Sequence, residues 1–252
     1  LFLAAPADRP GCKAAWDFVL LRHGNSVEQT AKDWGATFKT EDELRAQTKA
    51  GTVLNSEAYG ADHEAFSVLY AQTFFRVTGE TLRKHDPNHL ILGVRHAGRS
   101  NAHGKIIWKA YDKRYVDVLS HNCYNLEYFY QRVDGYAQLC PDWPILVGEF
   151  NWCGTRKPAP DKVKETQERI AVFVEKAFTH PALIGYTWFK WYTGTDPTSP
   201  RDCGVVTDKM EVNQFHLPIF QSVHPRLEGI KAGVLQARQP PAPKEQDAKP
   251  DP

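Results

Sequence analysis

The sequence contains no apolar run near the roughly eighteen residues that a membrane-crossing helix needs, so no such helix is expected. Charge of one sign is also missing. Its 31 Lys and Arg against 30 Asp and Glu leave a formal net charge of +1. A near-neutral chain gives no argument for a nucleic-acid or membrane surface. The five cysteines, Cys12, Cys123, Cys140, Cys153 and Cys203, show no CxxC spacing, which argues against a structural zinc site. Their odd number fits scattered buried thiols better than a disulfide framework, and it leaves the compartment open. The opening LFLAAPADRPG is too short and lacks the basic start of a secretory signal. The first residue is Leu, which suggests a processed product or a piece of a longer gene product. No internal repeat is visible.

What the chain does have is apolar material: 42% of its 252 residues are hydrophobic and 12% aromatic, enough for a sizeable core. From about residue 237 the stretch ARQPPAPKEQDAKPDP is proline-rich and charged with little to bury. It reads as a disordered tail after a folded part spanning 1–236. Four segments read as buried strands: HLILGVRH (89–96), VDVLSHNCYN (116–125), PILVGEFNW (144–152) and LIGYTWFKW (183–191). Each is an unbroken apolar run rather than a clean alternation, the pattern of parallel strands covered on both faces. Helical patterns flank them. DKVKETQERIAVFVEKAF puts Val163, Ile170, Phe173, Val174, Ala177 and Phe178 on one stripe, and HEAFSVLYAQTFFRVTGETLRKH does so with Phe66, Leu69, Tyr70, Phe74 and Val77. Helices alternating with parallel strands imply right-handed βα units.

In all four strands the polar and aromatic residues gather at the carboxyl end. They are Arg95 and His96; His121, Asn122 and Tyr124; Glu149, Asn151 and Trp152; and Trp188, Lys190 and Trp191. Strand carboxyl ends face the ligand crevice in α/β barrels and open α/β sheets. A lone carboxylate such as Glu149, closing an otherwise buried strand, stands where such folds keep their chemistry.

With these motifs in this order, the chain resembles the last four βα units of a clan A glycoside hydrolase, a retaining (β/α)8 TIM-barrel enzyme. LVGEFNW is similar to the family's seventh strand, SHNCYN to its sixth and GYTWFKW to its eighth. TAKDWGATFKTEDEL is similar to a segment found after the fourth strand in family 42 β-galactosidases and β-agarase-like enzymes, and DPNHLILGVRH is similar to the agarase-like fifth strand. The resemblance covers most of residues 16–232. It implies an α/β fold in which only strands 5–8 and their helices are present. It also implies Glu149 as nucleophile, Tyr124 as its hydrogen-bonding partner and Trp188 as the floor of a sugar subsite. The family's acid/base Glu, in an NE pair closing the fourth strand, has no match here and would lie upstream of Leu1. Glu57 in LNSEAYG reads instead as the start of a helix.

Retaining hydrolysis needs two carboxyl groups about 5–5.5 Å apart, one attacking the anomeric carbon and one handling the proton. Trp188, Trp152 and Trp191 are candidates to stack on sugar rings, or else to pack in the core. His121 and Asn122 are candidates for sugar hydroxyls. Arg95 and His96 are candidates for a distal subsite, or Arg95 for an ion pair with Glu149. Trp16, Trp34 and Phe38 are expected to form a small apolar cluster. The expected function is hydrolysis of a β-glycoside, a β-galactoside or an agarose-type polysaccharide, with a carbohydrate partner and no cofactor. One alternative is a catalytically silent half-barrel or sugar-binding remnant, whose open sheet edges call for dimerisation or a covering partner. Another is a metal-dependent barrel enzyme using His96, His121 and Glu149.

Overall fold

The computed structural model describes residues 3, 5–49, 57–96, 106–124, 129–151, 159–193 and 203–238. The chain divides into two compact units, Leu1–His89 with Ser100–Tyr115, and Leu90–Arg99 with Val116–Pro252.

The first unit is helical. Helix α1 (Pro10–Arg22) opens on a proline, which fits a first turn because its missing N–H has no partner there. Helix α2 (Val27–Asp33) is capped by Ser26, whose hydroxyl accepts from the Gln29 N–H at 3.1 Å. Helices α3 (Glu41–Lys49) and α4 (Glu57–His85) follow, with Glu57 in the first turn of α4. Trp16, Trp34 and Phe38 meet in one apolar cluster with Cys12, Val19, Ala31 and Leu44. Beside it, Asp62 is almost fully buried and accepts from Arg22 Nε at 2.5 Å, His23 Nε2 at 2.6 Å and Trp34 Nε1 at 2.8 Å. The α4 stripe read from the sequence is not the buried one: Leu69, Tyr70, Phe74 and Val77 are exposed. The buried positions are Asp62, Phe75 and Gly79. Phe75 stacks on Tyr111 at 4.5 Å, and a Cβ at Gly79 would come within 2.7 Å of Tyr115 Cβ. That close approach fixes which side of α4 faces inward.

The second unit is built from β/α repeats: β1 (Leu119–Asn122), α5 (Phe129–Leu139), β2 (Ile145–Phe150), α6 (Val163–Phe178), β3 (Leu183–Trp188) and α7 (Leu217–Ala237). The strands form one parallel sheet in the order β1-β2-β3. Ile145, Val147 and Leu183 are fully buried in it, each stabilising by roughly 2 kcal/mol. Helix α6 buries Ile170, Val174, Ala177 and Phe178 from the expected stripe. Phe150 meets Phe129 of α5 and Phe173 of α6, so that side of the sheet is covered by helices.

The expected strand 89–96 is not continuous. It runs beside β1 through hydrogen bonds at Ile91 and His96, but Gly93 takes φ +66° and the Ile91 N–H goes to the Asp117 carboxylate. This leaves one isolated parallel bridge, His96 to His121. The described cysteines, Cys12, Cys123, Cys140 and Cys203, are buried. Residues 239–252 of the expected tail lie outside the described residues.

Candidate active site

Glu149 lies one residue before the end of β2, and the register shifts around it. Against β1 the pairing passes from His121–Val147 to Asn122–Glu149, and against β3 it shifts between Val147 and Phe150. An irregularity of this kind re-aims a side chain. The carboxylate is gripped by both oxygens: Oε1 lies 3.1 Å from Arg95 Nη1, and Oε2 accepts from the Tyr124 hydroxyl. Arg95 Nη1 also donates to the Gly148 carbonyl at 3.2 Å. A Cβ at residue 148 would fall 2.6 Å from Arg95 Cδ and 2.5 Å from Ser120 Oγ, so the arginine stem lies where only glycine leaves room. The Glu149 side chain keeps 21% of its surface open to solvent. Burial pushes the Tyr124 phenol well above its usual range, and the hydrogen bond to and charge of Glu149 push it further. The phenol therefore stays a donor at neutral pH.

Strand alternation sorts the remaining candidates into two sides. His121 is 2% exposed and meets Tyr136 of α5 edge-on at 4.5 Å, which puts it on the helix-covered side. His96 pairs with it in register and shares that side. Burial lowers the His96 pKa to about 4. Burial, aided by Arg132 and His96, lowers that of His121 to about 3. Both imidazoles are neutral at pH 7. Arg95 and Asn122, one residue away from each, alternate to the Glu149 side. Asn122 Oδ1 is buried there without a hydrogen-bond partner among the described residues, as is His121 Nε2 on the other side.

The same rule divides the end of β3. Trp188 packs against Phe150, against His216 beside the start of α7 and against Phe220 on it, and donates from Nε1 to the Cys203 carbonyl at 2.9 Å. It is held on the helix side. Phe189, which sequence reasoning passed over, is 41% exposed and stands edge-on to Tyr124 at 5.8 Å. Only the phase of the alternation distinguishes it from Trp188, and TWF does not carry that phase by itself. Trp191 is 69% exposed on a segment tied to residues 203–206. Trp152 lies outside the described residues. The metal set His96, His121 and Glu149 is not assembled, because the two imidazoles and the carboxylate lie on opposite sides. Among the described residues no group of three or more His, Cys, Asp or Glu is placed to hold a metal ion.

Neither a family model nor a curated protein matches the chain. Solved structures do. An exo-β-agarase superposes with a TM-score of 0.75 at 19% identity, over 92% of this chain and 32% of that one. The protein PfGH50B gives 0.67 at 18% identity, over 87% and 32%. A β-galactosidase from the psychrophilic Marinomonas ef1 gives 0.52 at 15% identity, over 90% and 37%. The chain thus spans about a third of the length of these three structures. It shares the fold of the matched part of these structures, part of a TIM barrel.

Proposed function

We propose that this chain carries the nucleophile of a retaining β-glycosidase. The observation that carries the reading is the grip on Glu149: a carboxylate at a strand end, partly open to solvent, with Tyr124 on one oxygen and Arg95 on the other. In the first displacement a Glu149 oxygen bonds to the anomeric carbon as the leaving oxygen departs with the electron pair of the broken bond. In the second, water takes the sugar and the carboxylate is restored. Tyr124 orients the attacking group. Phe189 and Trp191 offer apolar faces to sugar rings, and the unpartnered Asn122 carbonyl oxygen suits a sugar hydroxyl. In this reading the proton donor for the leaving group is supplied by a segment outside this chain, one that would also cover the edge of β3 that has no paired strand among the described residues. The names of the matched structures favour a β-galactoside or an agarose-type oligosaccharide as substrate.

The test uses a substrate that needs no proton donor. Dinitrophenyl β-galactoside should release dinitrophenolate with the wild-type chain. Glu149→Gln should lower that release by roughly a thousandfold or more, the scale of losing a nucleophile. Equal release by both proteins would remove Glu149 from the chemistry. Sugar binding without release would favour a binding remnant.

A further inference from the structure

Of the described residues touching Glu149, Arg95 is the one whose charge distinguishes the two states of the carboxylate. Tyr124 is neutral and can keep its hydrogen bond whether Glu149 is a free carboxylate or an ester. Arg95 cannot do so at equal strength, because the ester has lost the negative charge. Nor is the guanidinium placed to leave when the ester forms. Nη1 is tethered to the Gly148 carbonyl at 3.2 Å, and its stem lies along a glycine that admits no Cβ. A fixed cation beside a group that alternates between charged and neutral favours the charged form.

We infer that Arg95 is a positioning residue for the second displacement: it speeds release of the sugar by stabilising the carboxylate that leaves. The inference rests on the reading of Glu149 as nucleophile. In that step a water oxygen bonds to the anomeric carbon and the bond from that carbon to the Glu149 oxygen breaks. The electron pair returns to Glu149 as carboxylate, and the proton of the water passes to bulk water. Negative charge grows on the carboxylate 3.1 Å from Arg95 Nη1 as the bond breaks. Loss of the cation therefore slows release while still permitting the ester to form. A purely structural role would instead lower formation and release together.

The test follows the lifetime of the trapped ester. The chain is labelled with dinitrophenyl 2-fluoro-β-galactoside, excess reagent is removed, and the adduct mass is followed with time for wild type, Arg95→Met and Arg95→Lys. Arg95→Met keeps an unbranched stem over Gly148, and the side chain it replaces is 57% exposed, so the fold is not at stake. Its adduct should decay about two- to fivefold more slowly, the scale of a partly solvated ion pair. Arg95→Lys, which keeps the charge, should restore most of the rate. Decay of the Arg95→Met adduct at the wild-type rate or faster overturns the inference and leaves the nucleophile reading standing. Failure of the wild type to form any adduct overturns both.

Discussion

The neighbours Trp188 and Phe189 should separate stability from sugar binding when each is cut to alanine. Trp188 is wedged between Phe150, His216 and Phe220, and its indole N–H is satisfied by Cys203. Truncating a core tryptophan costs about 3–5 kcal/mol, and the partial exposure of this one puts it near 3 kcal/mol. With a urea slope of about 1–3 kcal/mol per molar, the unfolding midpoint should fall by roughly 1 M or more. Phe189 touches Tyr124 edge-on and leaves 41% of its surface open, so its truncation should cost less than about 1 kcal/mol. Strand alternation puts it on the Glu149 side of the sheet, beside Tyr124. Loss of a stacking contact of about 0.5–1.5 kcal/mol would raise the half-saturating substrate concentration roughly two- to twelvefold. Urea unfolding and the concentration dependence of dinitrophenolate release measure the two effects on the same proteins. The reasoning fails if Phe189→Ala unfolds the protein while Trp188→Ala leaves the urea midpoint in place.

Tyr124→Phe removes the donor to Glu149 Oε2 and should slow ester formation about tenfold, the scale of a partly exposed hydrogen bond to a charged group. Because burial and Glu149 raise the Tyr124 phenol, ester formation by the wild type should show no loss from phenol ionisation between pH 7 and 10. Asp62→Ala leaves Arg22, His23 and Trp34 without their shared acceptor and should cost about 3 kcal/mol in urea unfolding. His23 adds a pH dependence to the same cluster. Burial pushes its pKa down, but hydrogen bonds to Asp62 and Asp33 and their charges outweigh this and raise it. A raised folded pKa gives stability that is complete below the unfolded value near 6.5 and is lost as pH rises through the folded value. Asp62 is lowered, burial being outweighed by His23, Arg22 and Trp34, so its share is lost only as pH falls below the usual carboxylate range. Unfolding followed from pH 4 to 9 should show a plateau at the acid end and a decline above about 6.5. His23→Gln should flatten the decline.

The parallel sheet, helix α6 and the strand end bearing Glu149 were legible because long apolar runs and a 3.6-residue stripe are strong local signals. The phase at the strand ends was not. Arg95 and His96, His121 and Asn122, and Trp188 and Phe189 are adjacent pairs in which one member faces the helices and the other faces Glu149. Period-2 alternation splits every such pair but does not say which way, and a one-residue slip exchanges them. Here the register irregularity around Glu149 sets the phase, and backbone geometry of that kind leaves no mark on composition. The α4 stripe was misread for a related reason. Apolar spacing identified a helix, but the buried side was decided by the close approach of Gly79 to Tyr115, which lies far along the sequence.

The most direct test of the account is the position of the covalent label. The chain is inactivated with dinitrophenyl 2-fluoro-β-galactoside, digested with pepsin, and the modified peptide is sequenced by mass spectrometry. One fluorogalactosyl group is expected, on Glu149, and none on the Glu149→Gln protein. A label on any other residue, or an undiminished label on the Glu149→Gln protein, would contradict it.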